Sequence, residues 1–166
     1  MYLPFLWTME KHVLKNPLEM PVQASLSDSM PLGTVLAGIL DFTGPAYIVV
    51  STYSTGEEFL RRLVNLRAKG LVSHAVLIAD VKAAVKTARM GGLAHQVFDE
   101  IRLCQNHSKV MLVGGETMKV SVLTSQNQTR GHRLENYCVL AGENVFGNLY
   151  ESLLGHPAAV LWTKKK

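Results

Sequence analysis

Cysteine is nearly absent: Cys104 and Cys138 are the only two, and they form no Cys-x-x-Cys pair. A disulfide framework and a thiolate zinc site are therefore not indicated, and a reducing cytoplasm is the expected setting. Aromatics are scarce at 7% and charged residues stand at 18%, against 48% hydrophobic. That balance fits one half-buried α/β domain and argues against a coiled coil or a disordered chain. Long apolar runs are missing too. The stretch from Leu32 to Val50 is cut by Asp41, Gly44 and Pro45, short of the roughly 18 uninterrupted residues a membrane helix needs. Met1 to Trp7 is apolar but has no basic leader and no small-residue cleavage site, so it does not read as a signal peptide. The net charge of +4 favours an anionic partner such as nucleic acid, although Lys164, Lys165 and Lys166 supply three of those charges.

What is present is an alternation of strand and helix patterns. Residues 1–31 carry Pro4, Pro17, Pro21 and Pro31 without a sustained period. They read as an irregular arm with one short strand near Pro21 to Leu26, lying on the domain or on a partner subunit. Residues 32–163 form the domain, and 164–166 a basic tail. Leu32, Val35, Leu36, Ile39 and Leu40 recur at helical spacing until Gly44-Pro45 stops them. Ala46 to Tyr53 is a continuous β-branched run, the mark of a strand covered on both faces. Thr55 is placed as an N-cap, with Glu57 and Glu58 in the first turn, a stripe of Phe59, Leu60, Leu63 and Leu66, and Gly70 as the stop. His74 to Ala79 gives a second buried strand, and Asp80 opens a helix toward Met90 whose Lys82, Lys86 and Arg89 face solvent. This order predicts right-handed crossovers and a largely parallel sheet. Beyond Gly91-Gly92, strands are expected at Glu100 to Cys104, Lys109 to Val113, Lys119 to Thr124 and Glu135 to Leu140, with Gly114-Gly115 turning a hairpin and a helix over Glu143 to Leu154.

Chemistry concentrates in one segment. His107 and Lys109 stand two apart at the start of a strand, so both side chains leave the same face. Ser125 and Asn127 end the neighbouring strand and return a hydroxyl and an amide to the same sheet edge, while Glu135 opens the next strand, placed to accept a proton from a histidine ring.

His107-x-Lys109, a hairpin, Ser125-x-Asn127 and the downstream Glu135 resemble, in that order, the motif of the phospholipase D superfamily. Thr124 stands where the family has glycine, and Gln128-Thr129-Arg130 with Glu135-Asn136 resembles small, mobile-element-associated members. The resemblance runs from about Tyr47 to Leu154 and implies an α/β fold with a mixed β-sheet flanked by helices on both faces. It implies that His107 attacks phosphorus to form a phosphohistidine. Lys109, Ser125 and Asn127 would hold the non-bridging oxygens, and Glu135 would fix the ring tautomer. No metal or cofactor is required. A second histidine must protonate the leaving oxygen, and with one His-x-Lys per chain this implies a homodimer. One departure stands out: the family's aspartate five residues after the lysine is Gly114 here, and Glu116 lies near it. Some active branches, tyrosyl-DNA phosphodiesterases among them, also do without that aspartate.

The leading expectation is a metal-independent phosphodiesterase acting on DNA or RNA. The alternative, favoured by Gly114, is a catalytically weakened nucleic-acid-binding accessory of a mobile element or defence system. Arg130, His132 and Arg133 form a basic loop after the phosphate clamp, where backbone-phosphate contacts fall in a nuclease; a merely solvated loop fits equally. Taken singly, His107 is an ordinary edge histidine, Lys109 a solvated lysine, Ser125 and Asn127 turn residues, and Glu135 a surface partner for Arg130 or Arg133. Cys104 with His107, or Cys138 with Glu135, lacks metal-ligand spacing, so both cysteines read as small apolar residues. A lipid-cleaving enzyme is disfavoured, because no apolar docking helix and no second motif are present.

Overall fold

The computed structural model describes residues 14–83, 85, 91–128 and 133–164. Its strands are β1 (Val22–Ser27), β2 (Ala46–Thr52), β3 (Val72–Asp80), β4 (Glu100–Cys104), β5 (Val110–Gly115), β6 (Lys119–Thr124), β7 (Glu135–Ala141) and β8 (Ala159–Thr163). The helices are α1 (Leu32–Thr43), α2 (Glu57–Ala68), α3 (Gly91–Val97) and α4 (Glu143–Leu154). All eight strands join one mixed sheet in the order β1-β7-β6-β5-β2-β3-β4-β8.

The run Ala46 to Thr52 has no polar face, so it takes a central place, with β3 parallel on one side and β5 antiparallel on the other. Alternate side chains then separate two cores. Ile48 and Val50 pack with Leu36, Ile39, Leu60 and Leu63 of α1 and α2, whereas Val49 packs with Val76, Leu112 and Phe146 on the face that α4 covers. Each such side chain withdrawn fully from water contributes about 1.5–3 kcal/mol. The expected helices on both faces are thus present.

The sequence predicts a largely parallel sheet, but only β2-β3 and β3-β4 are parallel, and the other five pairings are antiparallel. Helical crossovers to a neighbouring parallel strand are confined to that stretch; β5 to β7 follow one another through a hairpin and a loop, and α4 leads from β7 to the antiparallel edge strand β8. The domain also begins earlier than residue 32. Residues 22–27 of the arm pair along β7, from Val22↔Leu140 to Ser27↔Glu135, and form one edge of the sheet. Thr55 does not cap α2; its N-cap is Gly56, with no side-chain bond. Gly91-Gly92 opens a helix rather than a break, and Ala94 and Val97 are buried from it. Gly114 and Gly115 lie inside β5, and the hairpin turns through Glu116 and Thr117, with Gly115 N donating to Met118 O at 3.0 Å. Strand β8 went unpredicted because its Val160 and Leu161 are exposed, leaving no pattern of burial to read. The helix from Asp80 toward Met90 begins as one 3-10 turn at Val81–Ala83; most of its remainder lies outside the described residues.

Asp99 ties the edge of the sheet to α2. Its carboxylate takes a bidentate pair of bonds from Arg67, at 2.8 and 2.7 Å, and a third from Ala75 N at 2.9 Å, while its own amide donates to Ala75 O. Burial alone pushes this carboxyl up, but the Arg67 bonds, the Ala75 amide and the charge of His74 outweigh it and hold the group below its ordinary 3.8. A carboxyl depressed on folding contributes stability above its unfolded value, and that contribution fades as pH falls through the folded value. Asp99→Asn should therefore unfold at a lower temperature at pH 7, by roughly 5–10 °C for about 2–3 kcal/mol, and the gap from the parent should narrow below about pH 4. Thermal melts followed by circular dichroism across that range check both parts.

Candidate active site

The carboxyl ends of β2, β3 and β4 point to one rim, and antiparallel pairing brings the start of β5, the end of β6 and the start of β7 to the same rim. In an α/β sheet this is the edge at which ligands bind. Every candidate residue within the described set falls there. His107 and Lys109 lie in the connection entering β5, whose Val110 pairs with Ser51 at the end of β2. Thr124 N donates to Lys109 O at 3.1 Å, locking the end of β6, and with it the turn from Ser125 to Gln128, beside the lysine.

Lys109 Nζ donates to His107 O at 2.8 Å and stands 3.4 Å from His107 Nδ1. The two side chains meet, as their spacing predicts. An ammonium only donates, so Nδ1 can meet it only as an acceptor. His107 is exposed, and its ring lies 5.8 Å from that of Tyr53.

Ser125 Oγ donates to Glu135 Oε2 and accepts from Asn136 N at 3.1 Å. Among the described residues Glu135 receives this bond and none from His107, so its expected part in fixing the imidazole tautomer has no counterpart in the geometry. Thr124, standing where glycine was expected, donates from Oγ1 to Asn136 O at 2.6 Å and accepts from Gln126 N at 3.0 Å, which closes the turn. Gln126 Oε1 in turn accepts from Leu32 N at 3.0 Å, tethering the turn to the start of α1. Among the described residues, Asn127 Oδ1, both amide atoms of Gln128 and Thr55 Oγ1 are buried and find no hydrogen-bond partner. Orphaned polar atoms cost about 1–3 kcal/mol each and accumulate where a ligand is to be met. A cavity of about 320 Å³ flanks the turn, lined by Leu32, Glu58, Phe59, Arg62, Gln126 and Gln128 among others.

Of the basic loop, Arg133 is exposed beside β7, while Arg130 and His132 lie outside the described residues. No group of three or more His, Cys, Asp or Glu side chains suited to a metal ion occurs among the described residues, and Cys104 and Cys138 are free thiols. No helix among them is long and apolar enough to cross a membrane.

No local sequence signal marks the group beneath His107. Asn106 is buried: its Nδ2 donates to Ser51 Oγ (2.9 Å), Ile78 O (3.1 Å) and Thr52 O (3.3 Å), and its backbone N donates to Asp80 Oδ2 (2.7 Å). A lone asparagine before a histidine reads as a turn residue, and only the folded register shows it tying together the ends of β2 and β3.

Gly114 is at the other end of β5. It pairs with Tyr47 and Lys119, and a Cβ there would come closer than 3.0 Å to three atoms of the Tyr47 ring. The aspartate expected at this position thus belongs to the rim opposite the histidine, and Glu116 is exposed at the hairpin turn on that side.

No family model matches the sequence, and no curated protein does. Solved structures do match. Polyphosphate kinase from Porphyromonas gingivalis aligns with 95% of this chain at a TM-score of 0.61 and 13% identity. Phosphatidylserine synthase from Haemophilus influenzae Rd KW20 aligns with 84% of it at 0.61 and 12%. The chain spans only 32% and 40% of those two proteins. Both are phospholipase D superfamily proteins, and the α/β fold of this chain is similar to theirs.

Proposed function

We propose that the chain is a metal-independent phosphodiesterase that acts on nucleic acid as a homodimer through a phosphohistidine. The observation that carries this reading is the meeting of Lys109 Nζ with His107 Nδ1 at an open rim, beside a turn that presents Ser125 and Asn127. An anion entering the rim competes for the ammonium. Once Lys109 turns to a non-bridging oxygen, Nδ1 is released to take the ring proton, and the Nε2 lone pair is free to attack phosphorus. The N–P bond forms as the bond to the leaving oxygen breaks, and the proton for that oxygen comes from His107 of a second copy. Water, giving a proton back to that second imidazole, then cleaves the phosphohistidine. Lys109, with the Asn127 amide and the Ser125 hydroxyl once it turns from Glu135, opposes the charge that grows on the phosphoryl oxygens. Arg133, with Arg130 and His132, would follow the flanking backbone phosphates.

The alternative of a non-cutting accessory drew its support from Gly114, which lies at the far end of β5 from His107. Its absent carboxylate removes nothing from the rim.

Incubation of the protein with end-labelled single- and double-stranded DNA and RNA in excess EDTA tests the proposal. Cleavage that persists in chelator, with an acid-labile phosphoenzyme trapped by rapid denaturation, is the expected result. Tight binding with no cleavage of any of the four would discard the enzyme in favour of the accessory.

A further inference from the structure

The loop that carries His107 is held from below by a buried polar clamp. Asn106 Oδ1 accepts from Ser108 N at 2.9 Å and from Ser108 Oγ at 2.7 Å, so the residues on both sides of His107 are bonded to each other. Ser51 Oγ contacts Ser108 Oγ at 2.5 Å and accepts from Asn106 Nδ2. Asp80, at the end of β3, accepts from Asn106 N through Oδ2 and from Lys82 N through Oδ1 at 2.7 Å. Asp80, Asn106 and Ser51 expose 6%, 9% and 1% of their surface, and together they join the ends of β2 and β3 to the entry of β5.

We propose that this Asp80–Asn106–Ser51–Ser108 clamp is the positioning device of the site, holding His107 in line for attack in the place that a tautomer-fixing carboxylate would otherwise fill. The inference rests on the phosphodiesterase reading. Two features of the geometry drive it. Glu135 is engaged by Ser125, so it does not orient the ring. The imidazole itself is exposed, so packing does not orient it either; its backbone is pinned instead, at positions 106 and 108. The carboxylate at the bottom of the clamp is ionised: the Asn106 amide above all, against the opposing effect of burial, holds Asp80 below its ordinary 3.8, with the Lys82 amide and the charges of Lys82 and His107 adding to this. Hydrogen bonds to a charged acceptor are the stronger kind, and one of them reaches the residue directly before the histidine.

A displacement of about 1 Å at an attacking atom costs on the order of 100-fold in rate. Asn106→Ala is expected to lower kcat by about that factor with little change in KM, because the phosphate contacts at Lys109 and the Ser125 turn remain. Ser108→Ala, which keeps the Asn106 core bonds and loses only the hydroxyl, is expected to lose about tenfold at a melting temperature near the parent's. Side-chain 15N resonances of His107, in protein labelled at histidine and assigned against His107→Ala, supply a readout that stability alone does not move. The parent is expected to show one ordered ring environment, and both variants a shifted or averaged one. If wild-type protein has no activity, the phosphodiesterase reading fails, but the resonances still decide the positioning role. Parent-like His107 resonances in folded Asn106→Ala and Ser108→Ala would overturn the clamp, as would parent-like kcat.

Discussion

Alanine at position 107 is expected to reduce cleavage in chelator by at least about 10⁴-fold, a barrier increase of about 5.5 kcal/mol. The size follows from the role. A nucleophile that forms the bond to phosphorus has no substitute in a methyl group, and the remaining acceleration comes only from the charges that hold the substrate. Binding should change little, since on the proposed reading affinity for nucleic acid comes from backbone-phosphate contacts by Lys109, Arg133 and their neighbours. Lys109→Ala, which keeps the nucleophile and loses a charge aimed at the phosphoryl oxygens, should cost less, about 10²–10³-fold in kcat. Initial rates on a labelled oligonucleotide at saturating concentration measure both. Because the proposed dimer would need one imidazole to attack and another to protonate the leaving oxygen, excess His107→Ala protein should suppress wild-type activity as subunits exchange. Residual turnover within tenfold of the parent in the alanine variant would assign the chemistry elsewhere.

The parts of this architecture legible in the sequence are those in which the side-chain period matches burial. The runs at Ala46 to Tyr53 and His74 to Ala79 read as strands because both faces are largely covered, and the stripe Phe59, Leu60, Leu63, Leu66 read as a helix because one face alone is. Strand β8 and the arm strand β1 were hidden or left outside the domain for the opposite reason: they lie at the sheet's two edges, where Val22, Leu26 and Val160 are exposed. Position 55 shows a different limit. A threonine two residues before a helix has the chemistry of a cap, yet the pairing of Thr55 with Gln128 turns it inward. At the site, His107 and Lys109 meet as their close spacing suggested, but in the connection before β5 and not in the strand where the sequence put them. What spacing cannot carry is the partner of a carboxylate. Glu135 was expected at the imidazole and instead holds Ser125, because the turn closed by Thr124 returns Ser125 over the start of β7. The Asp80–Asn106 contact spans 26 residues and two strands, and no local pattern encodes it.

Restoring the motif aspartate should damage the protein without improving it. Gly114 faces Tyr47 across the β2–β5 ladder, and the tyrosine ring lies over the bare backbone, an aromatic covering a cross-strand glycine. That ring is not free to swing aside. Phe146 and Tyr150 of α4 meet it edge-on at 5.9 and 6.0 Å, and Lys119 Nζ sits 5.3 Å above its face. An aspartate must push the ring into α4 and bury a carboxylate among aromatic side chains, penalties of about 1–3 kcal/mol for the overpacking and at least as much for the charge. Gly114→Asp is thus expected to melt roughly 6–15 °C below the parent. Five residues of strand separate position 114 from Lys109, about 16 Å, so the new carboxylate reaches neither the imidazole nor its support. Its kcat, measured well below the melting transition, should equal the parent's. Tyr47→Ala in the same chain should return part of the lost stability, with a coupling of about 1–2 kcal/mol between the two changes, because the clash is between these side chains and nothing else. Higher kcat in Gly114→Asp would mean that the glycine had weakened the enzyme after all, through a path along β5 that the rim geometry does not contain.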